Sequence, residues 1–381
     1  MGKSSPRPVI VYTGLMFEEG GAEEPALAGR ISHMLDQLDA REAFGPLACG
    51  ADILIAEAML GRGGRLEVVL PFAEDDFIAE SVLCGGESWL ARYAACREAA
   101  DRVHFSTRSA YVGDDNQFAY NTRFAMGLAA LRARDLGGEA IQLAVNSAKA
   151  RSFSRTGLAG TAADVGIWER LGKRTVTVDA GPVTRNLRFP PRQQAHDEVA
   201  RDIRSILFAD YKGFSRLGER ELPLFMREIM GRIAETLDAF GAHVEFRNTW
   251  GDALYAIVDH PTVAARLALA LQERLADLPA GLIPEDGPAG MRIGLHFGPI
   301  YFGTDRITRT PLWYGGEVNR TARIEPVTPV GAVYCTEQFA AALHIDGGAD
   351  CELVRLGRQP LAKGFGEVEL FRLDPPKTSA R

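Results

Sequence analysis

The sequence predicts two domains, an α/β domain built on a parallel sheet over residues 1–180 and an α+β sandwich over residues 201–381. Strand, glycine turn, helix and strand alternate in the first half, most clearly over residues 43–72. In the second half, hairpin patterns are mixed with amphipathic helices, which is typical of a mixed sheet covered by helices. Residues 181–200 are rich in proline and charge and are predicted to form the linker.

The first half shows its elements in a regular order. Residues 8–14, PVIVYTG, are predicted as a buried strand that ends in a glycine turn, and residues 25–40 carry apolar residues at helical spacing. The stretches SAYVGDDNQFAYNTRFAMGLAALRA and GTAADVGIWERLGKRTVTV continue this alternation to about residue 178. Since parallel strands need crossover connections, we expect helices on both faces of this sheet.

The second half predicts a different order of elements. The patterns indicate a strand over residues 204–210, a long amphipathic helix over 219–240, a hairpin around 251, a helix over 260–278, a strand over 291–303, a helix that opens near 316 and a last hairpin over 352–373. Hairpins that alternate with helices in this way are expected to fold as an α+β sandwich.

Composition limits the class of protein. The chain has 381 residues, of which 46% are hydrophobic and 24% charged, and no run approaches the roughly 18 apolar residues of a membrane helix. The first residues lack the apolar core of a signal peptide, so we expect a cytoplasmic protein. The net charge of −7 argues against a broad nucleic-acid surface. Five scattered cysteines without CxxC spacing predict reduced thiols and no zinc site.

Two carboxylates of the second half stand where strands end. The stretch ILFADYKGFS places Asp210 at the end of an apolar strand, and NTWGDA places Asp252 on a hairpin tip. Taken alone, each is ordinary strand-end or turn chemistry. Carboxylates at the ends of adjacent strands can share divalent ions, because Mg²⁺ binds a few carboxylate oxygens and completes its shell with phosphates. In WYGGEVNRTARIE, Asn319 and Arg323 are four residues apart and are expected on one helical face.

These stretches together resemble the catalytic domain of the class III nucleotidyl cyclases, the adenylate and guanylate cyclases, over about residues 200–373. The motifs FADYKGFS, WGD, RIGLHFGPIYFG and VNRTAR stand in the family's order and at compatible separations. The resemblance implies that Asp210 and Asp252 hold two Mg²⁺ or Mn²⁺ ions while a ribose 3′-oxygen attacks the α-phosphorus. It implies that Arg323 neutralises charge on the α-phosphoryl oxygens and that Asn319 positions the ribose.

Two further features follow from the resemblance. Lys363, in LAKGFGEVELF, resembles the family's late lysine that binds the terminal phosphates, although Phe365 stands where the family often has a second lysine. In this family the metal ligands and the Asn/Arg pair of one site come from opposite chains. A chain that carries both sets therefore implies a homodimer with two equivalent sites.

The residues expected near the base match neither purine pattern. Adenylate cyclases usually carry Lys four residues before the hairpin Asp and Asp or Thr seven residues before the helix Asn, and guanylate cyclases carry Glu and Cys. This chain has Asn248 and Leu312. Leu312 offers no hydrogen bond to the adenine amine, and an unpaired polar edge in a closed pocket costs about 1–3 kcal/mol.

A smaller base fits this set of residues better than a purine. Tyr211, Arg247 and Trp250 add bulk and donors near the expected base, so we predict a pyrimidine substrate, UTP before CTP. Since strand residues alternate, only one of Arg247 and Asn248 faces the pocket. For Trp250, a position near the base and a position in the core both stay open, and the core position is favoured. Tyr211 is expected either to contact the base or to pack within its loop.

The pattern RNTWGD with ADYKGFS looks like the bacterial pyrimidine cyclases of anti-phage signalling. These make cyclic UMP or cyclic CMP and activate a separate effector with a cyclic-nucleotide-binding domain. An adenylate cyclase is the alternative enzyme. A catalytically silent, nucleotide-sensing dimer is the alternative from another class. His296, between apolar neighbours on a strand, is expected to be a core histidine.

The first half resembles Rossmann-like SLOG or TIR-related domains, which sense nucleotide-type ligands. Gly14, Gly50 and the helix near Asp52 have the strand, glycine turn and helix order of an anion site. The alternative is that these glycines only form tight turns, since neither a full GxGxxG nor a P-loop is present. We predict a regulatory or ligand-sensing domain.

Overall fold

The computed structural model of the chain describes residues 6–147, 160–184, 186–190, 201–276, 290–348 and 351–376. The chain forms two compact units, Met1–Asp197 and Glu198–Arg381.

The N-terminal unit is built on a sheet of six parallel strands in the order β4-β3-β2-β1-β5-β6. The strands are β1 (Val9–Gly14), β2 (Glu42–Gly45), β3 (Arg65–Leu70), β4 (Arg102–Phe105), β5 (Ala140–Asn146) and β6 (Thr175–Asp179). The predicted parallel α/β sheet is confirmed. Its strand order reverses at β1, which lies between β2 and β5, and such a reversal opens a crevice at the C-terminal edge of a parallel sheet.

Helices connect these strands, and each helix that directly follows a strand begins at the C-terminal edge of the sheet. The helices are α1 (Glu24–Gln37), α2 (Ala51–Gly61), α3 (Glu74–Phe77), α4 (Ser88–Ala99), α5 (Asn116–Asp135) and α6 (Thr161–Arg170). Residue Gly50 precedes α2 at φ 96°, and Gly160 precedes α6 at φ 110°. Glycine adopts this backbone without strain, and neither helix start has a side-chain cap.

The first part of the predicted linker packs on the N-terminal unit. Val183 forms a β-bridge with Ala22, and the Thr184 N–H donates to the Gly21 carbonyl oxygen at 2.6 Å. Residues 191–200 of the predicted linker lie outside the described residues.

The C-terminal unit has an eight-stranded mixed sheet. Its strands are β7 (Arg201–Tyr211), β8 (Val244–Trp250), β9 (Ala253–Val258), β10 (Met291–Thr304), β11 (Pro311–Tyr314), β12 (Val333–Thr336), β13 (Glu352–Pro360) and β14 (Glu367–Asp374). They follow the order β13-β14-β12-β10-β7-β9-β8, with β11 paired to β10. Strands β10 and β12 are parallel and the other neighbours antiparallel, so the predicted α+β class is confirmed.

Five helices accompany this sheet: α7 (Leu222–Phe225), α8 (Gly231–Ala239), α9 (Pro261–Arg274), α10 (Gly316–Thr321) and α11 (Glu337–Ile345). A π-helical turn, Met226–Met230, joins α7 to α8, so the long helix predicted over 219–240 contains an inserted wide turn. Val318 of α10 packs on a small core formed by Ile206, Ile257, Ile300 and Trp313. Within the described ranges, no helix has the length and apolar character needed to cross a membrane.

Candidate active site

Two aspartates meet at one end of the C-terminal sheet. Asp210 lies near the end of β7, and Asp252 lies on the β8–β9 turn, where Gly251 takes a φ of 67°. Their carboxyl groups lie close enough to influence each other's charge. Burial and the negative charge of Asp210 raise the pKa of Asp252 to about 6. The pair therefore carries negative charge that its surroundings offset only in part.

A guanidinium and a third carboxyl group border this pair. Arg292 of β10 stands directly opposite Asp210 in the sheet and pairs with its carboxylate. The Nε of Arg292 lies 2.7 Å from Oε1 of Glu325, although the two atoms are not aligned for a hydrogen bond. Burial raises the pKa of Glu325 to about 7 against the effect of Arg292, and the charges of Asp210 and Asp252 add to the rise. Three acidic groups thus share one guanidinium.

The donor set fits a hard divalent cation. Two neighbouring carboxylates are stabilised by a Mg²⁺ or Mn²⁺ ion, which offsets their charge and takes carboxylate oxygens as ligands. No group of three or more ligand-type side chains converges within the parts of the chain that the structure describes. Asp210 and Asp252 could hold such an ion, and its remaining positions would be open to water or phosphate oxygens.

Helix α10 and the turn after it run back along β10, which brings their side chains toward the acidic pair. Glu317 lies beside His296, Ile324 beside Gly294, and Glu325 beside Arg292. The glycine is required for this approach, because a Cβ on Gly294 would lie 3.0 Å from both the Ile324 Cβ and the Glu325 nitrogen. The motif RIGLHFG thus encodes a strand on which α10 can lie closely.

Asn319 is exposed on α10, and Arg323 is half-buried just beyond it. The helix ends at Thr321, so Arg323 stands in the following turn, where its N–H donates to the Arg320 carbonyl oxygen at 3.0 Å. Only Asn319 of the predicted pair therefore lies on the helix, and Arg323 lies two residues beyond its end. Within the described residues neither side chain has an ion pair, which leaves the Arg323 guanidinium available to an anion.

The loop that carries Lys363 lies beside α10. Lys363 is exposed between β13 and β14 and has a φ of 59°, a left-handed backbone that is strained for a residue with a Cβ. Two residues on, the Phe365 ring lies 6.0 Å from the guanidinium of Arg320 on α10. A residue held in a strained backbone by its surroundings is often found at ligand sites.

The sheet register separates Arg247 from Asn248. In the sheet, Asn248 is opposite Tyr255, and Tyr255 is opposite Phe208. Phe208 lies on β7, two residues before Asp210, so these two side chains point to the same face. Opposed residues point to one face, so Asn248 lies on the face of the acidic pair. Arg247 points to the other face, where Nη1 bonds the Asp238 Oδ1 of α8 at 2.5 Å. The predicted contact between Arg247 and a base does not fit this position.

Tyr211 and Leu312 also differ in what they can contact. Tyr211 follows Asp210 on β7 and so faces the opposite side of the sheet, where its ring is 1% exposed and packs on Phe225 at 5.4 Å. This position favours the packing interpretation over a contact with the base. Leu312 is half-buried on β11, opposite Gly303 of β10.

The core position favoured for Trp250 is wrong. Its side chain is 91% exposed, because β8 is the edge strand and its last residue lies at the hairpin tip. Trp250 is opposite Ala253, which is opposite Asp210, so the indole is on the acidic face. An exposed indole next to this pair is a surface for a flat, apolar ligand group or a partner.

His296 is the core histidine that the sequence predicts. It is fully buried, its Nδ1 lies 2.8 Å from the Thr336 hydroxyl, and its Nε2 lies 3.0 Å from Oε2 of the buried Glu317. Burial lowers its pKa, against the effect of Glu317. The sequence did not predict a role for Arg292, Glu317 or Glu325. Arg292 is the first residue of the motif RIGLHFG, and Glu317 and Glu325 lie within GGEVNRTARIE.

Comparison with known proteins agrees with this arrangement. Residues 193–374 match the family model described as the adenylate and guanylate cyclase catalytic domain. A curated relative, putative adenylate cyclase 3 of Rhizobium meliloti (strain 1021), is 30% identical over 184 residues, which are 48% of this chain and 30% of that protein. The chain thus covers less than a third of that relative.

Solved structures resemble about half of the chain. The adenylyl cyclase CyaB from P. aeruginosa is 14% identical, with a TM-score of 0.40 and coverage of 48% of this chain and 98% of that one. The guanylate cyclase domain of RhGC from Catenaria anguillulae, in complex with GTP, is 20% identical, with a TM-score of 0.39 and coverage of 47% and 100%. By the family match, residues 193–374 of this chain resemble the catalytic domain of the adenylate and guanylate cyclases.

Proposed function

We propose that the C-terminal unit converts a nucleoside triphosphate into its 3′,5′-cyclic monophosphate and pyrophosphate. The observation that carries this proposal is the neighbouring pair of Asp210 and Asp252, which is short of positive charge and lies on the sheet face that α10 covers. A bound pair of Mg²⁺ or Mn²⁺ ions would supply charge that lowers the pKa of the ribose 3′-hydroxyl and offsets the triphosphate. The two aspartates would hold these ions.

The other residues bind and orient the substrate. Arg323 places a guanidinium, which stays charged at any working pH, where negative charge grows on the α-phosphoryl oxygens. Asn319 holds the ribose so that its 3′-oxygen is in line with the bond to the leaving pyrophosphate. Lys363 binds the terminal phosphates from the loop beside α10. The half-buried position of Arg323 and the exposure of Asn319 and Lys363 support these assignments.

The active form in this proposal is a homodimer. The aspartates of one chain and the Asn319, Arg323 and Lys363 set of the other would complete each of two sites. The face that carries Asp210 also carries Phe208, Phe246 and Tyr255, which are only partly buried in one chain. A partly exposed aromatic face of this kind supports burial by a second copy.

We propose that the base is a pyrimidine. Trp250 would stack on its face, and Asn248, on the same side of the sheet, would bond its polar edge. Leu312 gives an adenine amine no acceptor. Arg247 is bound to Asp238 on the other face, so Asn248 is the remaining polar group of this strand for the choice between UTP and CTP. ATP is the second candidate, because the curated relative is named a putative adenylate cyclase.

Within a cell, the proposed role is second-messenger signalling in anti-phage defence. The cyclic product would leave the site and activate a separate effector with a cyclic-nucleotide-binding domain. The N-terminal unit, with its parallel sheet, would be a SLOG- or TIR-related sensing domain that controls the cyclase in the cytoplasm. A silent nucleotide-sensing dimer is the rival, and it requires that substitution of Asp210 leave the biological activity unchanged.

The deciding experiment incubates the purified chain with each ribonucleoside triphosphate and Mn²⁺ and identifies products by mass spectrometry. Cyclic UMP or cyclic CMP, lost in Asp210→Asn and kept in the matched surface variant Arg274→Ala, is the expected result. Cyclic AMP as the main product would keep the cyclase and reject the pyrimidine. If Asp210→Asn retains full turnover with the preferred substrate, the assignment of the acidic pair is wrong.

A further inference from the structure

A buried line of polar side chains connects β10 to α10. His296 of β10 is fully buried, with Nδ1 2.8 Å from the Thr336 hydroxyl oxygen and Nε2 3.0 Å from Oε2 of Glu317. Glu317, in the first turn of α10, is 2% exposed and accepts a hydrogen bond from Nε of Arg320 at 2.8 Å. We call Thr336, His296, Glu317 and Arg320 the α10 network.

The partners of the imidazole assign its proton. The Glu317 carboxylate is paired with Arg320, so it is ionised and can only accept. The ring proton therefore belongs on Nε2, which faces Glu317, although the two groups are not aligned for a hydrogen bond and their contact is electrostatic. The bare Nδ1 then accepts from the Thr336 hydroxyl, which caps α11. Burial lowers the pKa of His296, which keeps the ring neutral.

Strand β10 leaves room for this contact. A Cβ on Gly298 would lie 2.7 Å from Nε2 of His296 and 3.3 Å from Cγ of Glu317. The second glycine of the motif RIGLHFG is therefore required where the histidine meets the glutamate. The first, Gly294, is required where the turn after α10 approaches the strand. Both glycines of the motif thus allow α10 and its following turn to pack closely on β10.

Helix α10 depends on such contacts for its position. It has six residues, and Gly315 before it provides no side-chain cap. An isolated helix of this length is not stable in water, so tertiary contacts must fix it. Its buried side chains are Glu317 and Thr321, and the Thr321 hydroxyl donates back to the Glu317 carbonyl oxygen at 2.7 Å. The contact of Glu317 with His296 therefore ties the helix that carries Asn319 to the sheet.

Arg320 extends the network to the loop of Lys363. Its Nε is held by Glu317, and its guanidinium lies 6.0 Å from the Phe365 ring. A cation at this distance from an aromatic face is attracted to it. Phe365 follows Lys363 by two residues, in the loop where Lys363 has a φ of 59°. Because Arg320 directly follows Asn319, its side chain connects the two elements that carry the proposed ribose and phosphate contacts.

We propose that Glu317, held by His296, is a positioning residue that fixes Arg320. Through Arg320 it sets the helix that carries Asn319 and the loop that carries Lys363. This inference rests on the proposed function, in which those two elements bind the ribose and the terminal phosphates. His296 and Glu317 are buried between β10 and α10, so they act on the reaction through the geometry of other residues and without touching the substrate.

The experiment measures kcat of Glu317→Gln in the full chain, with Mn²⁺ and the ribonucleoside triphosphate that the parent turns over fastest. This change keeps the shape of the side chain and removes its charge, so Arg320 loses its partner and kcat should fall about tenfold or more. Arg320→Met should lower kcat to a similar extent, and the double variant should fall no further, because the two residues act through one contact. His296→Gln, whose amide N–H can replace that of Nε2, should keep more turnover than His296→Leu.

A buried glutamate of the N-terminal unit provides the matched control. Glu67 of β3 is 6% exposed, lies 2.8 Å from Nε2 of His104 and pairs with Arg65 at 2.9 Å. Glu67→Gln therefore removes the same kinds of contact, with a histidine and an arginine, and both variants should lower the unfolding temperature. Only Glu317→Gln should lower kcat. Equal falls in kcat would assign the effect to stability and overturn the proposal.

Hydrogen exchange followed by mass spectrometry gives a measurement that does not need turnover. In Glu317→Gln, the amides of residues 315–324 and 361–366 should exchange about tenfold faster than in the parent, and Glu67→Gln should leave both segments unchanged. Unchanged exchange of either segment in Glu317→Gln would overturn the proposal, whatever the activity. If the parent forms no cyclic product from any triphosphate, the proposed function fails, while faster exchange in both segments still supports the coupling of α10 to the Lys363 loop.

Discussion

Asp252 lies beside Asp210, a residue 42 positions earlier in the chain, because the β8–β9 hairpin places its tip at the end of β7. Two carboxyl groups in this position compete for one proton, which raises the pKa of Asp252. Arg292 offsets part of the charge, yet it is also drawn to Glu325. The region thus has less positive charge than its carboxylates need, and in the proposed function a divalent cation would supply it.

The first prediction concerns pH and metal. The pKa of Asp252 is raised from 3.8 to about 6, so without metal its contribution to stability increases as the pH falls through 6 toward 4. A cation competes with that proton. We therefore expect Mn²⁺ to raise the unfolding temperature by several degrees at pH 7.5 and by much less at pH 5, measured by calorimetry. Asp252→Asn should show little Mn²⁺ effect at either pH, and an equal effect at both would contradict the prediction.

The second prediction separates two neighbouring residues. Asn248→Ala should change the ratio of kcat/KM between the preferred triphosphate and its closest competitor about ten- to hundredfold, because it removes a hydrogen bond worth about 1–3 kcal/mol at the base edge. Arg247→Ala, the matched control, should leave that ratio unchanged, because Arg247 is bound to Asp238 on the other face. Steady-state kinetics with the two triphosphates measures both. A shift in Arg247→Ala alone would reverse the assignment.

The sequence predicted several strands of each sheet and the positions of both aspartates at strand ends, but it did not predict β11, β12 or α11. Apolar runs with glycine turns have a strong local signal, and Asp210 and Asp252 stand at strand ends that this signal locates. The sequence did not predict on which face of the sheet each residue expected near the base would lie. That depends on the register of β8 with β9, which is set by pairing across the hairpin and shifts between Val244 and Phe246.

The local sequence pattern also did not predict that the Trp250 side chain is exposed. An indole in a β-rich run usually belongs to the core, and only the position of β8 at the sheet edge exposes it. Arg292 and Glu325 were missed for a related reason. Each reads as an ordinary surface charge, and their meeting 33 residues apart follows from the return of α10 along β10.

The third prediction tests that return path. Gly294→Ala puts a Cβ 3.0 Å from the backbone of Glu325, so α10 and the turn that holds Arg323 must shift. We expect a loss of about 1–3 kcal/mol in the free energy of unfolding and a fall in kcat of tenfold or more. Gly303→Ala is the control, because its nearest atom, on Tyr314, would be 3.5 Å away. Denaturant unfolding and turnover measure the effects, and an unchanged kcat in Gly294→Ala would argue against the role of α10.

The fourth prediction uses the exposed indole. Trp250→Ala removes a side chain that is 91% exposed, so the free energy of unfolding should stay within about 0.5 kcal/mol of the parent. Stacking on a base contributes about 1–3 kcal/mol, so KM for the triphosphate should rise about five- to hundredfold. Ile307→Ala removes an apolar side chain that is 92% exposed in the β10–β11 turn and should change neither quantity. If both variants raise KM equally, the effect belongs to exposed apolar surface in general; a rise in Trp250→Ala alone assigns the indole to the base.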